Sequence, residues 1–377
     1  MNINDQIFYK AELLTKGMRA SDNAKAILYK EFPDFFTKGI MHSLNVRFSE
    51  TNCNVSIADD FAHESPYLLD EKDGNFFITD GKNSFPVSFF GALPHTGTVV
   101  DDFARLHSKG CVTIWPNSNC CYDRENEKCR FCSIVKERET PLDADILADS
   151  IKKLFELSKD NMLNFSGGTY KNPDVMVDYW IDLVKKIRAF SDAKIAIEFA
   201  PPSDLEKIAA LKNAGADVAI MNLEVANDEL RKKICPGKSK ISYEHYYKAF
   251  EKAVSVFGWG QVSSVLIAGI QPKEDIMAEC EKMAKIGVFP TVMPIRPLDN
   301  APVDISTRCK TQDLIEIATH LSGLLVKYNL DFKKQEGCTK CGGCSIENDC
   351  YRKQLQSNRS EERRVGKECR SRWSPYH

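Results

Sequence analysis

Residues Gly110–Ile134 read GCVTIWPNSNCCYDRENEKCRFCSI, and the rest of the chain is organised around them. The apolar run Val112–Trp115 is typical of a short buried strand. It leads into a loop that holds four cysteines, which are Cys120, Cys121, Cys129 and Cys132. The loop closes with C-x2-C, and an aromatic residue, Phe131, stands directly before the last cysteine. We interpret the loop as three thiolates gathered around one iron–sulfur cluster.

The composition is that of an ordinary globular protein. The chain has 377 residues, of which 43% are hydrophobic and 28% charged, so its length allows one large domain with an appendage or two domains. The formal net charge of -2 gives no reason to expect a nucleic-acid or membrane partner. The N-terminus is not a signal peptide, and no apolar run reaches membrane-spanning length. We therefore predict a cytoplasmic protein.

Cysteine is unusually frequent, with 14 residues. In a chain without a secretion signal, cysteines serve as metal ligands or free thiols more often than as disulfides. Their distribution is uneven, because most of them fall into two dense groups. The first group spans residues 111–132, and the second comprises Cys338, Cys341, Cys344 and Cys350. Of the other five, Cys53, Cys235, Cys280 and Cys309 are expected to be buried core thiols, and Cys369 lies in the C-terminal tail.

Residues 1–105 contain no motif that indicates a function, and we predict a small α+β appendage. Helical patterns cover Asp5–Arg19 and Ser21–Phe36, and the second has an N-cap signal at Ser21. Four strand-like runs follow, separated by turn residues. They are Ser43–Phe48, Cys53–Ile57, Asn75–Thr79 and Phe85–Phe89.

Residues 106–330 alternate strand and helix patterns in six successive units, which indicates parallel strands joined by right-handed crossovers. The predicted strands are Val112–Trp115, Met162–Ser166, Lys194–Phe199, Asp217–Leu223, Gln261–Ala268 and Phe289–Ile295. An α/β fold with a partial (β/α)6 barrel satisfies this pattern, and so does an open doubly wound sheet. In both, ligands bind at the carboxyl ends of the strands, where the cysteine loop is. Cys111 starts the first strand, at the opposite end, and is not expected to be a ligand.

The cysteine loop resembles the signature of the radical S-adenosylmethionine (radical SAM) enzymes. Their usual signature is C-x3-C-x2-C with an aromatic residue before the third cysteine, a place that Phe131 fills here. The first gap of this chain is longer, C-x8-C-x2-C from Cys120 or C-x7-C-x2-C from Cys121. Ser166–Thr169 stands where the superfamily has Gly-Gly-Glu, with threonine in place of the acid.

Four further segments resemble the superfamily in the expected order. Glu198 ends the third predicted strand, and Leu223–Lys238 resembles the Leu-Glu…Arg…Pro-Gly-Lys stretch of biotin-synthase-like members. Gln261–Ile270 resembles their adenine-side segment, and Met293–Pro302 resembles the last-strand segment that closes the site. The resemblance implies that S-adenosylmethionine (SAM) is bound by Phe131, Ser166, Gly167, Gly168, Thr169, Glu198, Glu224, Ser263, Gly269 and Met293.

The resemblance implies an enzyme with a [4Fe-4S] cluster and SAM as cofactors. Cys129 and Cys132 would bind the cluster, with Cys120 or Cys121 as the third ligand, and one iron would stay open for SAM. An external electron donor such as flavodoxin or ferredoxin would reduce the cluster. The resulting 5′-deoxyadenosyl radical would abstract hydrogen from a small-molecule substrate in a biosynthetic pathway.

The resemblance leaves the overall reaction open between sulfur insertion and carbon-skeleton or ring-forming chemistry, and no residue is assigned as catalytic. Within the superfamily, the chain most resembles the branch found in nitrilase-associated gene clusters. Biotin and lipoyl synthases are more distant by these motifs.

The second cysteine group, in residues 331–358, is C-x2-C-x2-C followed by Cys350. Two glycines between its cysteines let the backbone wrap closely, so that amides can face the sulfurs. We interpret Cys338, Cys341, Cys344 and Cys350 as ligands of a second iron–sulfur cluster. A structural zinc ion held by four thiolates is the main alternative, and unliganded thiols are a further one. Accordingly, a non-catalytic binding protein stabilised by zinc or an iron–sulfur cluster is the alternative to an enzyme.

Residues 359–377 turn abruptly basic and lose all periodicity. They resemble a read-through peptide derived from a vector or adaptor, and such a peptide takes no part in the fold. The alternative is a genuine basic tail.

Overall fold

The structure, a computed structural model, describes nine stretches of the chain. They are residues 1–31, 43–108, 110–117, 119–124, 127–133, 141–158, 162–298, 301–304 and 307–358. The end of the second predicted helix and the basic tail, residues 359–377, lie outside them. Within these stretches, every helix is too short or too polar to span a lipid bilayer.

The N-terminal region is α+β, as predicted. Its elements are α1 (Ile3–Lys16), β1 (Arg19–Ala20), α2 (Asp22–Glu31), β2 (Ser43–Phe48), β3 (Thr51–Ser56), β4 (Leu68–Lys72), β5 (Asn75–Thr79), β6 (Ser84–Pro86) and β7 (Ser88–Phe89). They form two sheets, with orders β1-β4-β5-β6 and β3-β2-β7. The Ser21 hydroxyl accepts a hydrogen bond from the backbone N–H of Ala24 and so caps α2. The single strand predicted over Phe85–Phe89 is divided, because β6 pairs with β5 and β7 crosses to β2 in the other sheet.

Alternating strands and helices make up the rest of the chain up to Lys327. They are α3 (Val100–Phe103), β8 (Ala104–Ser108), β9 (Cys111–Ile114), α4 (Cys121–Arg124), α5 (Ala144–Leu157), β10 (Met162–Phe165), α6 (Pro173–Arg188), β11 (Ile195–Glu198), α7 (Glu206–Ala214), β12 (Val218–Ile220), α8 (Asp228–Ile234), α9 (Tyr243–Phe257), β13 (Val262–Ala268), α10 (Lys273–Lys285), β14 (Val288–Pro294) and α11 (Thr311–Lys327). All six predicted strands are present, as β9 to β14, with bounds that differ by a few residues.

The order of the strands decides between the two predicted architectures. β8 to β14 form one seven-stranded sheet in chain order, in which β9 to β14 are parallel and β8 is antiparallel to β9. A doubly wound sheet must reverse its strand order at a switch point, whereas this order never reverses. The crossovers therefore all wind the same way, the helices cover one face, and the sheet curls into an open half-barrel. The predicted partial (β/α)6 barrel is confirmed.

Alternate strand residues line the concave face of the half-barrel. Ser263, Val265 and Ile267 of β13 all border one cavity. Side chains point to opposite faces of a strand in turn, so residues two apart share a side. Leu266, between them, is fully buried in the core on the side of the helices.

After α11 the chain returns to the amino ends of the barrel strands, which we call the floor of the barrel. Gln261, directly before β13, donates from Nε2 to the Lys334 carbonyl at 2.6 Å. Cys338 packs against the cluster that Ala196 of β11 forms with Val218 and Ile220 of β12. The carboxylate of Glu347 accepts a 2.6 Å hydrogen bond from the backbone N–H of Val292 and so covers part of the free edge of β14. The C-terminal segment therefore closes the floor, opposite the cysteine loop.

A buried ion pair ties α1 to this C-terminal segment. The Lys10 ammonium lies 2.8 Å from the Asp349 carboxylate, and the two side chains are 1% and 2% exposed. Gln6, Thr51 and Arg352 also donate hydrogen bonds to this carboxylate. Burial raises the pKa of Asp349, but the positive charges of Lys10 and Arg352 outweigh burial, so this pKa lies below its usual value. The N-terminal region and the C-terminal segment are thus held together by charge in the interior.

Lys10→Met is expected to lower the free energy of unfolding by about 3 kcal/mol, because it leaves a buried carboxylate without its main counter-ion. Urea unfolding measures this difference. Lys153→Met is the matched control, because Lys153 and its partner Glu156 are 49% and 54% exposed. Its expected effect is under about 1 kcal/mol. Equal losses in the two variants would contradict a stabilising role for the buried pair.

Candidate active site

Three of the four loop cysteines, Cys120, Cys129 and Cys132, line a cavity of about 180 Å³. Cys121 begins α4 beside them, and its thiol donates a hydrogen bond to Cys120. The cavity lies at the carboxyl ends of the barrel strands. Its other polar or small lining residues are Ser166, Gly167, Gly168, Thr169, Glu198, Asn222, Glu224 and Lys238. The structure therefore brings most of the residues predicted to hold SAM to the same place as the loop thiols.

The Gly167-Gly168 turn packs directly on the cysteine loop. The backbone N–H of Gly168 donates to the Asn117 carbonyl at 3.0 Å, and the Asn117 side-chain amide donates back to the Gly168 carbonyl at 3.0 Å. A Cβ at Gly168 would lie 2.5 Å from the Asn119 carbonyl carbon and 2.6 Å from the backbone nitrogen of Cys120. Only glycine fits so close an approach, so this turn positions the first cysteine of the cavity.

A partly buried ion pair borders the same cavity. Lys238 Nζ lies 2.7 Å from Oε1 of Glu224, and the two side chains are 15% and 9% exposed. Burial lowers the pKa of Lys238, but the negative charge of Glu224 outweighs burial and raises this pKa well above its usual value. Glu224 has a φ of 69°, which is unfavourable for a residue with a side chain, so its surroundings must hold it there. Sequence reasoning assigned Glu224 to the site and missed Lys238.

The Glu224–Lys238 ion pair and the contacts of Arg231 give a structural reason for the sequence pattern of Leu223–Lys238. Arg231 is fully buried, and its guanidinium donates to the carbonyls of Lys238 and Ile241, both at 2.9 Å. The guanidinium also lies 4.7 Å from the ring centroid of Tyr246. Arg231 thus holds the loop that presents Lys238 to the cavity.

Glu224→Gln is expected to lower the free energy of unfolding by about 2 kcal/mol, because the Lys238 ammonium is then buried without its counter-ion. Chemical denaturation measures the loss. The control is Glu244→Gln, in an exposed pair with Lys248 whose side chains are 60% and 77% exposed. This control is expected to change stability by no more than about 0.5 kcal/mol. A silent Glu224→Gln variant would show that the pair does not stabilise the fold.

Cys235 also stands at this site, although the sequence indicated only a core thiol. It is fully buried, and its thiol is in hydrogen-bonding contact with Cys129 and lies 3.7 Å from the acceptor Oε2 of Glu224. The ligand atoms of Cys129, Glu224 and Cys235 lie within 4.8 Å of one another. The signal that could have identified Cys235 is its place in the stretch Cys235–Lys238, whose last residue forms the ion pair.

A second cavity, of about 320 Å³, adjoins the first and shares with it Phe131, Glu198, Asn222 and Glu224. Oδ1 of Asn164 is buried in its wall and has no hydrogen-bond partner among the described residues, so it is available to a ligand. Arg296 lies in the same wall, and its guanidinium donates to Ser43 Oγ at 3.1 Å and Asn54 Oδ1 at 2.9 Å. Sequence reasoning missed the role of Asn164 because an isolated strand asparagine carries no motif.

The remaining predicted cofactor residues divide between the second cavity and the core. Ser263 and Met293 line the second cavity. Gly269 lines neither cavity; it has a φ of 96°, and a Cβ there would lie 2.7 Å from the Ile295 side chain and 2.8 Å from the backbone nitrogen of Cys309. Close packing after β13 therefore accounts for glycine at position 269.

The second cysteine group lies at the floor end of the second cavity, which Cys338, Cys341 and Cys344 line. Cys350 lies apart from them. It is buried in the hydrophobic core, and its thiol hydrogen-bonds with Thr319 of α11. The structure therefore brings together three of the four predicted ligands of this group.

Residues 120–284, which carry the first cavity and much of the half-barrel, match the family model of the Radical SAM superfamily. These residues form a domain of the radical SAM superfamily, and the chain is an enzyme. A radical SAM domain implies a [4Fe-4S] cluster and SAM as cofactors, and enzymes with this domain use small-molecule substrates and a reductant.

Several proteins of known name are similar to this chain. Bacteriochlorophyllide c C-7(1)-hydroxylase of Chlorobaculum limnaeum is 22% identical over 275 residues, which are 67% of this chain and 68% of the hydroxylase. The solved structure of the FeFe-hydrogenase maturase HydG from Carboxydothermus hydrogenoformans matches with a TM-score of 0.46 and 17% identity over 58% of this chain and 52% of that chain. This chain thus spans about half the length of the maturase. Methylornithine synthase (PylB) matches with a TM-score of 0.47 and 16% identity over 63% of this chain and 68% of that chain.

Proposed function

We propose that this enzyme transforms a small molecule held between a [4Fe-4S] cluster on Cys120, Cys129 and Cys132 and a second iron–sulfur cluster at the floor of the barrel. The observation that carries the proposal is that cysteines of the first group line the first cavity and cysteines of the second group line the second cavity, which adjoins the first. A substrate in the second cavity would face SAM on one side and the second cluster on the other.

The residues around the first cavity suit a cluster and SAM. Three thiols converge there, and three thiolates leave one iron of a four-iron cluster free to bind another ligand. We favour Cys120 over Cys121 as the third ligand because Cys120 lines the cavity. The Cys121 thiol, at the start of α4, donates a hydrogen bond to the Cys120 sulfur. When bound, this cofactor pair supplies one-electron cleavage of a carbon–sulfur bond of SAM and, through it, hydrogen removal from an unactivated carbon.

The protein's own residues hold and shield these groups. The backbone of the Gly167-Gly168 turn lies against the cysteine loop and lines the cavity, where its amides and carbonyls are within reach of SAM. Phe131 borders both cavities and so separates the first cluster from the substrate space. Restricting water around a reactive centre suppresses side reactions.

The second cavity suits a small molecule that has polar and apolar parts. Val265, Ile267 and Met293 provide apolar wall, while Asn164 offers a free acceptor and Arg296 a positive charge. Its volume of about 320 Å³ is near the lower end of the range for ligand sites, about 300–1,000 Å³. We therefore expect a compact biosynthetic intermediate with a hydrogen-bond donor placed opposite Asn164.

The test is the release of 5′-deoxyadenosine by anaerobically purified protein given SAM and a one-electron reductant. We expect brown protein with broad visible absorbance from iron–sulfur charge transfer, and release that depends on the reductant. Colourless protein that holds only zinc and releases none would refute the proposal. Flavodoxin or ferredoxin as the natural donor, the cytoplasmic location and the nitrilase-associated branch stay predictions.

Sulfur insertion and carbon-skeleton or ring-forming chemistry differ in what happens to the second cluster. If that cluster donates sulfur, the enzyme completes one turnover per chain and loses sulfide from the floor site. Many turnovers with undiminished sulfide would exclude sulfur donation. Quantifying sulfide and product in the same reaction makes the distinction.

A further inference from the structure

The thiol of Cys111 meets the second cysteine group at the floor of the barrel. Cys111 is the first residue of β9, is 3% exposed, and its side chain is in hydrogen-bonding contact with the thiols of Cys338 and Cys341. The Ser108 hydroxyl and the backbone N–H of Gly343 also donate to Cys341. Donors aimed at a sulfur stabilise it as a thiolate, which is the form that binds metal.

The barrel's first strand and the C-terminal segment are brought together by specific contacts. Gln261 binds the Lys334 carbonyl, and the C-terminal backbone then passes so close to β12 that a Cβ at Gly337 would lie 2.9 Å from Cγ1 of Val218. On the other side, the backbone N–H of Asn54 donates to the Gly343 carbonyl at 2.8 Å. The cysteine-bearing turn is therefore held against the amino ends of the strands, where Cys111 begins β9.

Cys350 occupies a different environment. It follows the three clustered cysteines in a helical stretch, residues 347–358, that turns its side chain into the core. Its thiol hydrogen-bonds with Thr319 of α11. Cys350 is therefore placed in the core, whereas Cys338, Cys341 and Cys344 line the second cavity.

Positive charge is concentrated at the floor group instead. The charges of Lys10 and Arg296 both act on Cys344, and the Lys10 ammonium donates to the Gly342 carbonyl at 2.6 Å. Thiolates and the iron–sulfur clusters they bind carry net negative charge, so the buried Lys10 and the partly buried Arg296 favour them at this place.

We propose that the second iron–sulfur cluster is held by Cys338, Cys341, Cys344 and Cys111, with Cys111 from the first barrel strand as the fourth ligand in place of Cys350. The inference rests on the proposed function in one respect, the existence of the second cluster. It makes β9 a link between the two clusters, because the loop after its carboxyl end carries the first cluster and its amino end the second. At about 3.3 Å per residue, the four-residue strand separates its two ends by only about 10 Å.

The test isolates the second cluster in a full-length variant in which Cys120, Cys129 and Cys132 are all alanine. Anaerobic reconstitution of this parent is expected to leave one cluster, seen in the iron and sulfide content per chain and in the Mössbauer spectrum. Adding Cys111→Ala is expected to remove that iron, and adding Cys350→Ala is expected to keep it. Cys53→Ala is a further control, because Cys53 is a buried thiol near Cys344.

Cys111→Ser keeps the volume of the side chain and guards against simple misfolding. We expect it to retain iron with an altered electron paramagnetic resonance signal of the reduced cluster, because an oxygen ligand replaces sulfur. The assignment would be overturned if both Cys111 variants kept their iron and showed an unchanged signal, while Cys350→Ala or Cys53→Ala lost its iron. A parent that binds zinc or no metal would instead refute the second cluster itself, so the two failures are distinguishable.

Discussion

Cys132→Ala is expected to abolish 5′-deoxyadenosine release from SAM and to remove the iron of the first cluster. Cys132 lines the first cavity together with Cys120 and Cys129. Three thiolates are all the protein supplies to a cluster with an open iron, so losing one leaves two attachment points and a cluster that dissociates. Iron analysis after anaerobic reconstitution and chromatography of the nucleoside products measure both effects.

The adjacent cysteines Cys120 and Cys121 provide the matched comparison. Cys120→Ala is expected to behave like Cys132→Ala, whereas Cys121→Ala is expected to keep its iron and most of the release. Cys280→Ala, at a fully buried thiol of α10, serves as a control for the fold. If Cys121→Ala were inactive and Cys120→Ala active, the third ligand would be Cys121. Undiminished release by Cys132→Ala would refute the first cluster site altogether.

Gly168→Ala is expected to reduce 5′-deoxyadenosine release by about 100-fold, the size of effect that a 1 Å misplacement of a reacting group produces. The new Cβ would lie 2.5 Å from the Asn119 carbonyl carbon and 2.6 Å from the backbone nitrogen of Cys120, so the cysteine loop must move. Backbone atoms cannot rotate out of the way as a flexible side chain can. Initial rates at saturating SAM, together with iron content, separate a displaced loop from a lost cluster.

Gly323→Ala is the matched control for this substitution. Gly323 lies in α11, and outside its own helical turn no atom of the described residues stands within 4 Å of the position a Cβ would take. Alanine there is expected to leave release unchanged and to raise the free energy of unfolding by about 1 kcal/mol, because glycine is a poor helix former. Equal rates for Gly168→Ala and the wild-type chain would show that the turn does not position the cysteine loop.

Much of the half-barrel could be predicted because its signals are local. Each barrel strand is a short apolar run bounded by turn residues, and each is recovered at nearly the predicted place. The Gly167-Gly168 turn was likewise recognisable, since a glycine pair directly after a strand predicts a turn. The reason for the pair was not recognisable, because it depends on contact with Asn117 and Asn119 in another loop.

The role of the N-terminal region could not be predicted. Its residues carry no motif, yet Lys10 pairs with Asp349, Asn54 binds the Gly343 carbonyl, and Ser43 and Asn54 accept from Arg296. This region therefore forms one wall around the second cysteine group. Isolated polar residues of this kind acquire a role only through their distant partners, which no spacing rule reveals.

The sequence by itself determined the repeating strand–helix units, the dense cysteine groups and the loop that follows the first strand, because each is encoded within a short stretch of chain. Only the tertiary structure decided for a half-barrel over a doubly wound sheet, because strand order depends on how distant units pair. It also turned Cys120 toward the cavity and brought Cys111 to Cys338. Side chains far apart in the sequence meet only when the core packs, and the burial that drives packing is a property of the whole fold.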